Sequence, residues 1–290
     1  MNLKDFIDLV TDCSRRDLTI NAMAMEQLED GQCGPCIDPY GGQVDLRNKI
    51  IRHTSEAFAE DPLRVLRACR FRARLGFTIA DETMQLMQKV VAAGELAHLS
   101  KERIWKELEE GLASKHSALM ISSLEACGAL QVLTPYKNAY KNLSHLQFLD
   151  DHEKLQSLIF TQTIRVLLVT AEYCPSVEDD WKIPTKYLDA IKLSNLVMPR
   201  LKRYETLDFN ERLDVLLLLG IHKTTLIKNE KAWAIYYASL AIDNSQAAQH
   251  LIHDCEKLST INQGEIAKSG PVETIKQRIR EEQLKVISNG

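Results

Sequence analysis

Four arginines are spaced so that they can share one face of a helix. They are Arg64, Arg67, Arg70 and Arg74. At about 100° per residue, their side chains fall within an arc of about 120°. Like charges on one face repel each other, whereas a planar guanidinium group binds phosphate oxygens in pairs. The spacing therefore indicates a surface that binds a polyanion; a solvated basic helix face is the alternative interpretation.

A carboxylate stands one turn before the first of these arginines. Asp61 and Arg64 would project side by side from the start of the helix, offering hydrogen-bond acceptors and donors in a fixed plane. Such a pair can bond to the edge of a nucleobase while the arginines behind it hold phosphates. The combination predicts selection of a nucleotide without a nucleic-acid template, which a solvated basic face would not provide.

The elements that must position these residues are mainly helical. Apolar residues recur at helical spacing from Ser55 onward, and Gly76, Gly94 and Gly128 lie where helix C-caps are expected. Helices are predicted at about 61–75, 81–93, 101–113, 116–127, 151–172, 184–197, 210–220, 229–254 and 271–287. Strands are predicted at 19–25 and 50–53, a loop at 28–36, and turns at 39–42 and at Pro199.

The composition is that of an ordinary soluble globular protein. Its 290 residues are 45% hydrophobic and 26% charged, and the formal net charge is -4. Any nucleic-acid site must therefore be a local basic patch. The apolar runs at 166–169 and 215–219 are far too short to span a bilayer. We expect a soluble, cytoplasmic protein that has no membrane partner.

The seven cysteines are scattered and odd in number, which favours reduced thiols over a disulfide framework. Cys33-Gly34-Pro35-Cys36 has the spacing of a thioredoxin-type redox site, but that chemistry needs the first cysteine at the start of a helix. Turn-forming residues at 37–42 follow it instead, and no second cysteine pair completes a zinc site. We interpret the motif as a loop with two incidental thiols.

Three motifs, in order along the chain, resemble those of the bacterial class II tRNA nucleotidyltransferases, the CCA-adding enzymes. They are Arg15-Arg16-Asp17-Leu18-Thr19-Ile20-Asn21-Ala22, then Asp38-Pro39-Tyr40-Gly41-Gly42 with Ile51-Arg52-His53, then Glu60-Asp61-Pro62-Leu63-Arg64. The resemblance continues to about residue 135. It implies a mostly α fold, in which the remnant of a nucleotidyltransferase β-sheet head is followed by an all-α neck, body and tail.

The same resemblance implies three domains. Residues 1–54 would form part of the nucleotidyltransferase head, and residues 55–135 a helical neck and body that carries the nucleotide-template helix. Residues 136–290 resemble a degenerate HD phosphohydrolase region followed by a tRNA-binding tail. Ala171-Glu172-Tyr173 stands where a His-Asp metal dyad belongs, so we expect no phosphohydrolase activity.

The resemblance also implies roles for individual residues. Asp61 and Arg64 would read the base edge of CTP or ATP. The nucleotide-binding residues would be Arg16, Asp17, Asn21, Asp61, Arg64, Arg67 and Arg70. The implied reaction adds CMP and AMP, which build the CCA sequence, to the acceptor end of tRNA.

One part of the family pattern has no match in this sequence. The family carries an Asp-x-Asp pair on a strand, and these carboxylates bind the two Mg²⁺ ions of the reaction. The resemblance thus implies Mg²⁺ as cofactor, whereas we expect no catalytic or metal-binding residue in this chain. An upstream segment or a separate chain would supply the missing head. The alternatives are a non-catalytic RNA-binding remnant that holds the acceptor stem, and a poly(A) polymerase.

Overall fold

The computed structural model of the chain describes residues 3–27, 31–133, 136–151, 161–170, 182–220 and 245–288. The chain divides into two compact units, residues 1–156 with 178–183 and residues 157–177 with 184–290. The predicted segment Ala171-Glu172-Tyr173 lies outside the described residues. Across the described ranges, we find no helix with the length and apolar character that crossing a membrane requires.

The first unit begins with small elements that connect to a larger set of helices. They are α1 (Leu3–Ser14), β1 (Ala24–Gln27), β2 (Cys33–Ile37), α2 (Gly42–Asn48) and β3 (Ile50–Ile51). Strands β1 and β2 pair antiparallel, and β3 pairs in parallel with β4 (Thr78–Ile79). Two-stranded sheets are marginally stable by themselves, so this region depends on helix packing.

Local contacts explain why a helix begins at Gly42. Asp38 accepts hydrogen bonds from the main-chain N–H groups of Gly42, at 2.7 Å, and Gln43, at 2.8 Å. These first N–H groups of a helix have no partner within it, so the carboxylate caps them. Gly41 adopts a left-handed φ of 74°. A Cβ on Gly42 would lie 2.2 Å from the main-chain oxygen of Thr19, so this close approach requires glycine.

The helices that follow form the core of the first unit. They are α3 (Leu63–Leu75), α4 (Asp81–Ala92), α5 (Lys101–Leu112), α6 (Ser117–Ala126) and α7 (Leu143–Asp151). Helix α3 packs mainly against α5 and α6. Its buried face includes Val65, Leu66 and Cys69, and it ends where Gly76 takes a left-handed φ of 71°. Arg64, Arg67 and Arg74 of α3 lie outside this buried face, whereas Arg70 is buried.

The described part of the second unit is also helical. Its helices are α8 (Thr161–Val169), α9 (Thr185–Leu201), α10 (Phe209–Leu218), α11 (Ser245–Ser259), α12 (Gln263–Lys268) and α13 (Ile275–Ser288). A buried polar contact joins two of its segments, because the hydroxyl of Tyr204 donates to Asp254 at 2.9 Å. The Arg212 guanidinium lies 3.7 Å from the same carboxylate.

The mostly α fold with a small sheet remnant is confirmed. Helices α3 to α6 agree with their predicted ranges to within two residues at each end. The predicted segments 1–54, 55–135 and 136–290 remain a prediction about domains. The described parts of the predicted helices at 151–172 and 229–254 are largely helical.

The structure corrects two predictions near the N-terminus. Residues 19–21 form a 3-10 turn rather than a strand. The N–H of Thr19 donates to the carbonyl of Arg52, whereas the N–H groups of Asn21 and Ala22 donate to carbonyls three residues before them. The loop predicted at 28–36 contains strand β2 from Cys33 onward, so Cys33 and Cys36 both lie on a strand. Neither cysteine begins a helix.

Further corrections concern helices. Helices α2 and α7 were not predicted, the first because Asp38-Pro39-Tyr40-Gly41-Gly42 was interpreted only as a turn. Helix α9 continues through Pro199 to Leu201, where a turn was predicted. Proline in the last turn of a helix removes a single main-chain hydrogen bond, which explains why the helix tolerates it.

Candidate functional site

An open cleft of about 510 Å³ lies beside α3 in the first unit. We call it the arginine cleft and define it by the residues that line it. They are Arg15, Arg16, Asp17, Asn21, Asp61, Leu63, Arg64, Arg67, Phe71 and Arg103. Five arginines and two aspartates give an excess of three positive charges, which favours an anionic ligand.

Main-chain contacts bring the segment that contains Arg15 and Arg16 next to α3. Leu18 forms an isolated antiparallel bridge with His53, and the N–H of Thr54 donates to the main-chain carbonyl of Asp17 at 3.3 Å. The hydroxyl of Ser55 donates to the carbonyl of Ser14 at 2.6 Å. Residues 14–19 therefore lie along the chain segment that leads directly into α3.

A buried carboxylate ties this segment to α3. The Nε of Arg67 donates to Oδ2 of Asp17 at 2.7 Å, and the Nη2 of Arg67 lies 2.7 Å from the same oxygen in an ion pair. The other oxygen, Oδ1, accepts from the N–H of Leu18 at 2.9 Å and from the Asn21 amide at 3.4 Å. Burial lowers the pKa of Arg67, but Asp17 and Glu107 outweigh that effect and raise it. Arg67 is thus held as a fixed, charged donor at the wall of the cleft.

The structure brings Asp61 and Arg64 together in the cleft, but each has another partner. Arg64 donates from Nη1 to the carbonyl of Ala57 and from Nη2 to the carbonyl of Arg15, both at 2.5 Å. Asp61 accepts from the N–H of Leu63 at 3.1 Å and pairs with Arg103. Both residues line the cleft, and each is oriented by its own contacts.

Arg16 lies at the junction between α1 and the cleft. Its Nη2 pairs with Asp12 at 2.9 Å, and its Nη1 donates to the carbonyl of Asn21 at 3.1 Å. The hydrogen bond to Asp12 raises the pKa of Arg16. About half of the Arg16 side chain is exposed, so it can reach a ligand without unfolding the local structure.

Arg70, which was predicted to bind the nucleotide, does not line the cleft. It is buried, and its Nε donates to Glu107 at 2.5 Å while its Nη1 donates to Glu110 at 2.7 Å. Direct contact with a ligand in the cleft would require Arg70 to leave both carboxylates. Arg74 is exposed near the C-terminal end of α3 and also lies outside the lining. The predicted face of four arginines therefore divides between cleft, core and solvent.

Sequence reasoning missed Arg103 and Glu107 as parts of the site. Both lie on α5, and with Glu110 they recur at positions i, i+4 and i+7, which places them on one face of a helix. The apolar residues Ile104 and Leu108 of that helix are buried, and the charged face beside them was not interpreted from the sequence. The spacing of the three charges was the available signal.

Two family models match the first half of the chain. Residues 2–52 match the poly(A) polymerase head domain, and residues 76–141 match the model described as a probable RNA- and SrmB-binding site of polymerase A. The multifunctional CCA protein of Aliivibrio salmonicida (strain LFI1238) is 55% identical over 132 residues, 44% of this chain and 31% of that protein. That of Neisseria gonorrhoeae (strain FA 1090) is 50% identical over 155 residues, 53% of this chain and 36% of that protein.

The first half of this chain is similar to the multifunctional CCA proteins. The resemblance to CCA-adding enzymes is thereby confirmed. The chain spans about a third of the length of these relatives. The two family models together include the cleft residues from Arg15 to Asn21 and Arg103.

Solved structures show the same fold over a larger part of the chain. The complex of a CCA-adding enzyme with CTP has a TM-score of 0.70 at 21% identity, covering 100% of this chain and 71% of that one. A tRNA nucleotidyltransferase with a primer tRNA and an incoming ATP analogue has a TM-score of 0.66 at 23% identity, covering 87% and 73%. At this level of identity the likeness establishes the fold alone.

Proposed function

We propose that this chain is the nucleotide-reading part of a CCA-adding tRNA nucleotidyltransferase, with CTP and ATP bound in the arginine cleft. The observation that carries the proposal is the cleft itself, which places Asp61 and Arg64 within a predominantly cationic lining. A base-reading pair and several phosphate-binding groups in one cavity fit a nucleoside triphosphate better than they fit an RNA backbone alone. The names of the relatives supply the reaction class.

Base recognition follows from the donors and acceptors that remain free. Arg64 uses one N–H from each of two nitrogens for main-chain carbonyls, and a guanidinium has about five such donors. Asp61 is a pure acceptor when ionised, so it accepts from the exocyclic amino group of cytosine or adenine. Uracil presents a carbonyl oxygen at the equivalent position, which the carboxylate repels. The pair therefore favours CTP and ATP over UTP.

The remaining cleft residues would hold the sugar and the triphosphate. Arg15, Arg16 and Arg67 supply guanidinium donors that bind phosphate oxygens in pairs, and Asn21 supplies an amide for the sugar. Asp17 orients Arg67 and Asn21 through hydrogen bonds to both. Arg70 would act indirectly, because it shares Glu107 with Arg67.

The residues present do not fit a magnesium site. Asp17 and Asp61 are the carboxylates in the cleft, and both are engaged by arginines and main-chain N–H groups. Within the described ranges, no cluster of three or more His, Cys, Asp or Glu side chains is placed to hold a metal ion. We derive no step through Mg²⁺; its carboxylate ligands would have to come from outside the described residues.

The proposed partner is the acceptor end of tRNA. Residues 76–141 match a model described as a probable RNA-binding site, and they include α5, which contributes Arg103 to the cleft. With the metal-binding carboxylates supplied, the assembled enzyme would transfer CMP and AMP to the tRNA 3′ end. We propose the cytoplasm as the location, since tRNA substrates are processed there.

Equilibrium binding of the four nucleoside triphosphates to the chain tests the proposal. We expect CTP and ATP to bind at least about tenfold more tightly than UTP. Arg64→Met should abolish this preference, because it removes the donor half of the base-reading pair. Arg74→Met is the matched control on the same helix and should leave the preference unchanged. Equal binding of all four nucleotides by the unmodified chain would contradict the proposal.

A further inference from the structure

Arg103 enters the arginine cleft from α5, whereas the Asp61 that it contacts precedes α3. Its Nη2 atom donates to both oxygens of Asp61, at 2.9 Å to Oδ2 and 3.2 Å to Oδ1. None of the sequence motifs assigns Arg103 a part in base recognition. We propose that Arg103 is a positioning residue that fixes the orientation of Asp61 and thereby determines which base edge the cleft accepts. The inference rests on the proposed function.

Two donors from different elements hold the Asp61 carboxylate. Oδ1 accepts from the N–H of Leu63 at the start of α3, and Arg103 approaches both oxygens from α5. A carboxylate has about four acceptor positions, so this arrangement leaves room for a ligand donor. Without Arg103, the hydrogen bond from Leu63 and an electrostatic attraction to Arg67 would remain, and the terminal torsion of an aspartate is broad and soft.

Orientation matters because the two pyrimidines differ in one group. Cytosine carries an amino donor where uracil carries a carbonyl acceptor. A carboxylate that is held toward the base binds the donor and repels the acceptor. A carboxylate that can turn away loses the bond to cytosine and also the repulsion of uracil. Removing Arg103 should therefore change the ratio of the two affinities, and not merely lower both.

The variant that tests this should fold. The side chains of Arg103 and Asp61 are 50% and 36% exposed, and ion pairs at such positions contribute little to stability. Both hydrogen bonds to the carboxylate come from one nitrogen, so a lysine ammonium can replace them in part. Lys106 lies exposed on the same helix outside the cleft lining and provides a control with the same change of charge.

The experiment measures the ratio of CTP to UTP affinity for the 290-residue chain and three variants. Arg103→Met should lower the ratio by about tenfold, which corresponds to the loss of one charge-assisted hydrogen bond. Arg103→Lys should keep it within about threefold of the unmodified chain. Lys106→Met should leave it unchanged, because the ratio cancels a general loss of positive charge.

The outcomes separate this inference from the function on which it rests. An unmodified chain that prefers CTP, together with an Arg103→Met variant that keeps the same ratio, overturns the role of Arg103 alone. A lysine variant as unselective as the methionine variant, or a Lys106→Met variant with the same loss, overturns it also. An unmodified chain with no preference for CTP overturns the proposed function and this inference together.

Discussion

Neighbouring arginines on α3 occupy different environments, and this difference decides what each can do. The Arg67 side chain is one-third exposed and reaches the cleft, whereas Arg70 is nearly buried between two glutamates. A charge that is removed from water must keep its partners, since an unpaired buried charge costs several kcal/mol. Arg70 is therefore held by its contacts with Glu107 and Glu110, although its type and spacing match those of the arginines that line the cleft.

His53 is a second residue whose environment changes its chemistry. Its Nδ1 lies 2.8 Å from the hydroxyl of Thr83, and its ring packs edge-on against Phe58 with centroids 6.0 Å apart. Burial lowers its pKa below the ordinary value of 6.5. The unfolded chain therefore binds a proton on His53 more readily than the folded chain does. It follows that acid lowers the free energy of unfolding.

We expect the contribution of His53 to be present above its ordinary pKa of 6.5 and to be lost as the pH falls below it. His53→Gln should reduce the loss of stability between about pH 7.5 and about pH 5.5, measured from urea midpoints. His98→Gln, at an exposed position, is the control and should keep the original slope. An unchanged slope in His53→Gln would show that another group causes the pH dependence.

Helix α5 supports α3 through a row of charges as well as through apolar packing. Arg103 pairs with Asp61, Glu107 pairs with Arg67 and Arg70, and Glu110 pairs with Arg70. Glu107 is only 5% exposed, so its charge depends on these two arginines. The side of α3 that lines the cleft is thus positioned by a helix about forty residues further along the chain.

Replacing Glu107 tests how much this support contributes. Glu107→Gln leaves Arg70 with a single carboxylate, and we expect a loss of about 2 kcal/mol in the free energy of unfolding. Glu102→Gln changes an exposed residue of the same helix and should cost less than about 0.5 kcal/mol. Urea unfolding of both variants measures the difference. Equal losses of unfolding free energy in the two variants would mean that the buried ion pairs of Glu107 stabilise the protein no more than an exposed glutamate does.

Most of the helical fold could be predicted from the sequence because its signals are local. Apolar periodicity and the glycine after Leu75 define α3 without reference to the rest of the chain. Helix α2 was missed because its start depends on Asp38 capping Gly42 and on the close approach of Thr19. Such contacts depend on tertiary structure, which spacing along a single sequence does not encode.

Most residues of the candidate site could be predicted from the sequence, but the contacts between them could not. Motif resemblance predicted six residues that line the cleft, among them Asp61 and Arg64. The partners of these residues could not be predicted, since Arg103 and Glu107 meet α3 only after α3 and α5 pack. Arg70 illustrates the limit, because the sequence gives its face on the helix but not the glutamates opposite that face.

The whole molecule consists of two compact units, and the arginine cleft lies within the first. The second has its own buried polar cluster of Tyr204, Arg212 and Asp254, with the Asp254 carboxylate only 3% exposed. The urea unfolding proposed for His53 and Glu107 concerns the first unit, whereas a change in the second unit needs a separate measurement, because chains with more than one such unit can unfold in steps. Local stability is then the quantity to measure.

We expect Asp254→Asn to destabilise the second unit selectively. The variant removes the charge that Arg212 and Tyr204 share, so amide hydrogen exchange should accelerate in α11 and in the turn at Tyr204–Thr206. Exchange in α3 and the affinity for CTP should remain unchanged. Faster exchange in α3 as well would show that the two units unfold as one.

The contacts of the cleft arginines also bear on the ionic environment in which the protein works. Arg16, Arg67 and Arg103 each already contact a carboxylate, and Arg64 is bonded to main-chain oxygens. Because these oxygens already offset part of the positive charge, a ligand that enters would not neutralise five bare cations. Its affinity should thus depend on potassium concentration less steeply than the number of arginines implies. The fraction of clefts that hold a nucleotide would then depend on the nucleotide concentration. It would change little when osmotic conditions change the salt concentration.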